Sequence, residues 1–600
     1  MNKVYNVVWS KSLGQWVVAS EISRSRGKSA AKATLIAGIM AFAANAQAAE
    51  CYGVVNSYAS DSSGTACTVS GTNYDYVHAS NGTPVTVSNP ITIYATSSST
   101  AAVLVSTNAN IHFMGNTKVG ATGQRNGVHI SQGSIVVDGN LDASAVGLSN
   151  RAVYVEGVGS SLTINGNFTG TRTNRVQGAV AEVTAGNTIN VTGTTTLNGN
   201  GTDGMRLGGI ATLGGDVSIT VNNYARGVLN SGSSKFDGNL TVNTTNMWNG
   251  GIVNTNSGSI AVAKDLNVTT SGTTANSYGV NNAGSIAVTG GTTIKTSSEG
   301  SHGINNTAGT LTLGGSSVLT TTGVDAIGVN TTGGSTIFNQ LTANTSGANA
   351  VGIAVTGAGA TTTLGSGSTI TTTGDGATGV SVTDGTLNFA SGEVKTSGAN
   401  AAGISVTNPL PASFTTAANV TTTGASSDGM RLDNVPTAII NSNISASGTD
   451  SSGILYDGQE TASLTTGGNI TAAYMGISAD ASGDLVVNTA AGKTIASGGD
   501  GISVVKSQYG TSTTTLNNNS TINSSGTHGI AVAAYYGGAI TINNTADVTA
   551  TGTSGLSSNA TCLNKGTAGI SAGSCNLGGE INIASSGKVT SSNGILARVS

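Results

Sequence analysis

Gly403-Ile404-Ser405-Val406 is one copy of a phrase that returns along the chain. Others are Gly352-Ile353-Ala354-Val355, Gly379-Val380-Ser381-Val382, Gly501-Ile502-Ser503-Val504 and Gly529-Ile530-Ala531-Val532. The glycines of the phrase run from Gly127 to Gly555 in steps of about 23 to 28 residues, with Ala152 substituting once, and a longer step then leads to Gly594. Self-similarity on that scale marks a stacked repeat.

Within one step, Gly303 to Ile327, three short alternating segments follow one another: Gly303-Ile304, Thr310-Leu311-Thr312-Leu313, and Ser317-Val318-Leu319-Thr320-Thr321-Thr322-Gly323. The second type recurs as Ile260-Ala261-Val262 and Ile540-Thr541-Ile542, and the third as Ile370-Thr371-Thr372 and Val394-Lys395-Thr396. Period-two alternation places aliphatics on one face of a strand and Ser, Thr, Ala or Asn on the other. One turn of three such strands cannot bury its apolar face, whereas stacked turns pair every strand in parallel with copies above and below. The fold expected is all-β, a right-handed parallel β-helix with about 25 residues and three short strands per coil. About 18 coils at roughly 4.8 Å each give a length on the order of 90 Å. Corner glycines are expected to serve positive φ, and Asn and Thr to form side-chain ladders up the stack.

Composition agrees. Gly is 88 of 600 residues, charged residues are 8%, aromatics 4%, and there are 5 prolines. With 37% hydrophobic residues and so little charge, this is not a disordered chain. The first 48 residues hold six bases (Lys3, Lys11, Arg24, Arg26, Lys28, Lys32) and one acid, Glu21. Without them 17 of 23 bases and 26 of 27 acids remain, a net charge near −9, which argues against a nucleic-acid partner.

Residues 28–48 read as a secretory signal. Lys28 to Lys32 is a basic segment, Ala33 to Ala44 an apolar stretch too short to span a bilayer, and Ala46-Gln47-Ala48 a small-residue site with cleavage expected between Ala48 and Ala49. Residues 1–27 extend it, with Met1-Asn2-Lys3, Tyr5 and Val8-Trp9, then Trp16-Val17-Val18-Ala19-Ser20-Glu21, then Gly27-Lys28-Ser29. This leader resembles the extended signal peptide region of large Gram-negative type V secreted proteins. The resemblance implies transit of the periplasm to the cell surface or outer membrane, with the periplasmic and outer-membrane export machinery as partners.

Residues 49–83 have no clear place in the repeat and are expected to cap the stack, with the β-helix occupying 84–600. Cys51, Cys67, Cys562 and Cys575 all follow the cleavage site, in a compartment that permits disulfides. Three pairings are open to them, and the local bridges 51–67 and 562–575 are favoured, each contributing about 3 kcal/mol. The long step from Gly555 to Gly594 suggests a disulfide-pinned loop before Gly569-Ile570-Ser571.

Catalytic patterns are scarce. His78, His112, His129, His302 and His528 are scattered, so neither a metal nor another cofactor is expected. Gly569-Ile570-Ser571-Ala572-Gly573 fits G-x-S-x-G but lacks the following helix of a nucleophile elbow and reads as another copy of the phrase. Candidate acids such as Asp325, Asp375, Asp384, Asp450, Asp457 and Asp500 occupy differing phases of the coil. Candidate surface contacts are Arg206 and Arg431, which stand in two identical segments, Asp203-Gly204-Met205-Arg206-Leu207 and Asp428-Gly429-Met430-Arg431-Leu432. Tyr535 and Tyr536 join them, within a group that includes Tyr456, Tyr474 and Tyr509.

The body looks like the passenger of an AIDA-type autotransporter adhesin, similar in architecture to pertactin. That resemblance implies a non-enzymatic rod for adhesion, self-association or biofilm formation. Its partners would be a host-cell receptor or glycan, or identical passengers on neighbouring cells. A carbohydrate-active β-helix is the alternative. Such passengers end in an autochaperone segment and a membrane barrel, and the present sequence is expected to be truncated before both.

Overall fold

The computed structural model describes residues 5–10, 15–20, 49–50, 58–61 and most of 64–599, leaving out 71, 89, 96–100, 124, 147–150, 174–177, 246–249, 273–274, 276, 459–460, 507–511, 535–537, 553–567 and 575–579. Every regular element among them is a strand. Two compact units are present, Met1–Ala48 and Ala49–Ser600. In the first, Tyr5–Ser10 and Gln15–Ser20 pair antiparallel, with Trp9 opposite Trp16.

The second unit is a parallel β-helix with three strand tracks. The phrase Gly-Ile-x-Val forms the first strand of each coil: Ile353–Thr356, Val380–Thr383 and Ile404–Thr407 lie in register, Ile353 beside Val380 and Val380 beside Ile404. Second strands such as Thr361–Leu364 and third strands such as Ser368–Thr372 stack likewise on Thr386–Phe389 and Gly392–Thr396. Alternation is preserved as expected: Ile370 and Thr372 are buried, Thr369 and Thr371 half-exposed. Each buried Val, Ile or Leu contributes about 1.5–3 kcal/mol, and the core they form runs from Cys67 to Ala572.

The stack begins earlier than the repeat does. Tyr58–Asp61, Tyr76–Ala79 and Val103–Val105 extend the first-strand track in front of Gly127, and Cys67–Val69 pairs with both Ala49–Glu50 and Pro84–Val87. These coils lack the phrase glycine, which is why the ruler passes over them. At the other end Gly555 falls outside the described residues. His528–Ala534 pairs with Ala568–Ser574, so Gly569 is the next phrase glycine after Gly529. Gly569-Ile570-Ser571 is thus a first strand, paired onward with Ile595–Val599.

The glycines hold their places for a different reason from the one expected. Among the described phrase glycines only Gly178 and Gly594 have positive φ. A Cβ on Gly352 would lie 2.3 Å from Ile370 Cγ2 and 2.5 Å from the Gly379 carbonyl oxygen, and the same collision repeats at Gly379, Gly403, Gly429 and Gly453. Close approach to the next coil excludes a side chain there. Left-handed backbone is carried instead at the corner after the third strand, by Asp325, Asn349, Gly376, Asn400, Ser426 and Asp450, all but Ser426 of residue types that tolerate it.

Polar groups that the coil turns inward are satisfied in columns. The Oγ1 atoms of Thr321, Thr345, Thr372 and Thr396 donate to the carbonyls of Ala326, Ala350, Ala377 and Ala401 at 2.6–3.0 Å. Asn230, Asn254, Asn282 and Asn306 form a buried ladder, each Nδ2 donating to the next Oδ1 at 2.8 Å. The expected Asn ladder is therefore present, whereas these threonines bond within their own coil.

Candidate functional site

Arg206 and Arg431 occupy outward positions of the first-strand track, and each is held by the aspartate of its own segment. Arg206 Nε donates to Asp203 Oδ2 and Arg431 Nε to Asp428 Oδ2, both at 2.7 Å. Those aspartates are buried, and their second oxygens accept the backbone N–H of Arg226 and Ser452 on the following coil at 2.8 Å. Asp500 does the same for the N–H of His528 at 2.8 Å. The residue before the phrase glycine is thus a capping position, and the arginines stand over it as paired charges. Neither projects as a free cation toward a ligand.

Around Arg206 the pairing spreads over neighbouring coils. His129, Tyr154, Glu182 and Arg206 stand at one register position of successive first strands. Arg151 Nε donates to Glu182 at 2.5 Å while its guanidinium lies 4.1 Å over the ring of Tyr154. His129 stacks on the same ring at 5.2 Å and reaches Glu156 at 2.8 Å, and the Tyr154 hydroxyl donates to Glu156 at 2.6 Å. Burial and the Glu156 carboxylate push the Tyr154 hydroxyl up to about 12. Burial alone would raise Glu156, but bonds from Tyr154 and His129 and the charge of Arg151 bring it below its ordinary value. Arg151 and His129 thus both contact the Tyr154 ring. The network fastens one coil to the next.

Arg172 went unnoticed in the sequence. Its side chain is 1% exposed, in the column that holds threonine in later coils, and Nη1 donates to Thr202 Oγ1 at 2.5 Å. Burial and the charges of Arg151 and Arg206 bring its guanidinium down to about 10. A Cβ on Gly178 would sit 2.4 Å from Nη1, so the one phrase copy with Ala179 in place of the aliphatic is also the one that accommodates an arginine.

Of the candidate acids, Asp457 alone joins a column, with Asp433 and Asp480 on the coils either side. Burial, then Asp480, then Asp433, raise its carboxyl above the ordinary range. Among the described residues no group of three or more His, Cys, Asp or Glu side chains is arranged to hold a metal ion. Tyr456 is buried, its hydroxyl donating to the Val435 carbonyl at 2.7 Å, so it belongs to the core, whereas Tyr474 is exposed. Tyr509, Tyr535, Tyr536, Cys51, Cys562, Cys575, Ala46 and Ala48 lie outside the described residues. Cys67 is buried and disulfide-bonded. Ala49 opens the second unit, paired with Cys67.

Among the described residues the wall is also interrupted beside a longer link. Pro409-Leu410-Pro411 lengthens the link between Ile404–Thr407 and Ser413–Thr416 to five residues, where the preceding coil uses two. Thr386–Phe389 and Ser413–Thr416 then keep a single ladder pair, Phe389 with Thr416, and a cavity of about 370 Å³ opens between them. Prolines supply no N–H to a ladder, and their clustering, two of five in the chain, was the available signal.

Residues 1–49 match the family model for the Extended Signal Peptide of Type V secretion system. No curated protein and no solved structure matches the chain. An extended signal peptide of the type V system thus precedes a parallel β-helix in one chain, consistent with a type V autotransporter passenger in general, directed by its leader to the export machinery and through the periplasm to the outer membrane or surface of a Gram-negative bacterium.

Proposed function

We propose that the exported β-helix is a non-enzymatic surface rod of the AIDA-type, pertactin-like kind, mediating adhesion or self-association of cells. The observation that carries this reading is the joining of a type V leader to a wall of parallel strands, some of whose charges pair with one another, as at Asp203, Arg206 and Arg226. Such a surface carries neutral amide columns, like Asn281, Asn305 and Asn330 linked at 2.9–3.0 Å, whose half-exposed members Asn281 and Asn330 it offers to a receptor, a glycan or a second rod. Beads coated with the purified chain test it. Clustering of coated beads supports self-association, and retention of beads on host cells or glycan arrays supports adhesion. Beads that remain dispersed and bind neither surface would count against both.

The Asp433–Asp457–Asp480 column favours a second reading, a carbohydrate-active β-helix. It places three carboxyls on neighbouring coils, one of them with a raised pKa. Glycoside cleavage needs a carboxyl pair about 5–5.5 Å or 6.5–9.5 Å apart, and turnover of polysaccharide separates the two readings.

A further inference from the structure

We propose that the cleft where the ladder parts, between Thr386–Phe389 and Ser413–Thr416, binds the apolar end of an uncharged amphiphile. This site is independent of the adhesive reading. Leu364, Val382, Leu387, Phe389, Leu410 and Phe414 line the cavity, and none of the lining residues carries a charge. The opening slightly bares side chains of the β-helix core. Leu387 is 9% exposed and Leu364 4%, against 1% for Leu311 and Phe338 in coils where the ladder is intact. The mouth is held at its two ends. On one side Leu410 N–H donates to the Gly385 carbonyl at 2.9 Å and Thr386 Oγ1 donates to the Leu410 carbonyl. On the other, Thr416 Oγ1 donates to the Phe389 carbonyl at 2.9 Å.

Between these ties, Thr386, Leu387 and Asn388 have no ladder pair with Ser413, Phe414 and Thr415, although the two strands pair normally with their outer neighbours. The cleft therefore combines an apolar floor with neutral hydroxyl, amide and main-chain groups at its rim. A volume near 370 Å³ lies in the range of small-molecule sites. A hydrocarbon chain of about ten carbons, carrying a neutral hydrogen-bonding head, satisfies both surfaces through burial of its apolar area. A carboxylate or ammonium head would meet no opposite charge.

Equilibrium dialysis of the purified chain against radiolabelled 1-decanol, below its solubility limit, tests the assignment, with decanoate and decylamine as charged probes. One saturable site per chain is expected, with each charged probe at least tenfold weaker. Leu410→Asp places a charge at the rim from an already exposed position, and Leu387→Trp fills the floor; each should weaken decanol binding at least tenfold. Ile439→Asp, exposed on the next coil, should leave it unchanged. Should Leu387→Trp fail to fold, Leu410→Asp decides alone. Absence of saturable decanol binding, binding untouched by Leu410→Asp, or equal binding of the charged probes would overturn the proposal.

Discussion

A methyl group is enough to test the packing at the phrase glycines. Gly352→Ala would bring its Cβ against both Ile370 and the Gly379 carbonyl, and backbone oxygen cannot swing aside as a long side chain can. A loss of about 1–3 kcal/mol is expected, read as faster amide exchange in Ile353–Thr356 and Val380–Thr383. His302 supplies a second test. It stacks on Tyr278 at 5.1 Å, and its Nδ1 accepts the Ile327 N–H at 3.1 Å. Burial lowers its pKa from 6.5 to about 4. The unfolded chain therefore binds the proton first on acidification, so the stability this neutral ring contributes is full above 6.5 and lost as pH falls toward 4. His302→Gln keeps an acceptor without that titration. Its unfolding midpoint should vary less than the parent's between pH 6.5 and 4, and an unchanged difference across that window would refute the assignment.

Between coils, the elements are joined by ladders whose interior members differ from those on the surface. Asn254 Nδ2 donates to Asn282, and its Oδ1 receives the Nδ2 of Asn230, all within the core. Asn254→Ala leaves buried partners unmatched and should cost about 1–3 kcal/mol. Asn330→Ala, at the half-exposed end of the outer ladder, should cost less than about 0.5 kcal/mol. Equal losses in chemical unfolding would mean that burial does not govern these columns. Strand phase was legible in the sequence because alternation with period two and a return near every 25 residues leave one way to hide Ile353, Ile370 and Ile404 together. Contacts one coil away were not. Collision of Gly352 with Gly379, capping by Asp203, and the accommodation of Arg172 beside Gly178 all depend on which residues become neighbours after stacking. The convergence of Asp433, Asp457 and Asp480, by contrast, is legible, because each stands four residues after its phrase glycine, Gly429, Gly453 and Gly476.

Across the whole molecule, a leader for type V export is followed by an all-β stack of three strand tracks. The candidate site residues are the least legible part of the sequence. Arg206 and Arg431 lie on the surface as read, but short bonds to Asp203 and Asp428 engage them in the frame. A repeat exposes departures from its own rule more clearly than chemistry, and the Pro-Leu-Pro link is such a departure. We propose that the β-helix binds without turnover, and incubation with acidic and neutral polysaccharides tests this most directly. Retention of the purified chain on a cell or glycan surface without release of reducing or unsaturated sugar ends is the result expected. Sustained release of such ends, abolished by Asp457→Asn in a chain that still folds, would contradict it and establish the acid column as a catalytic centre.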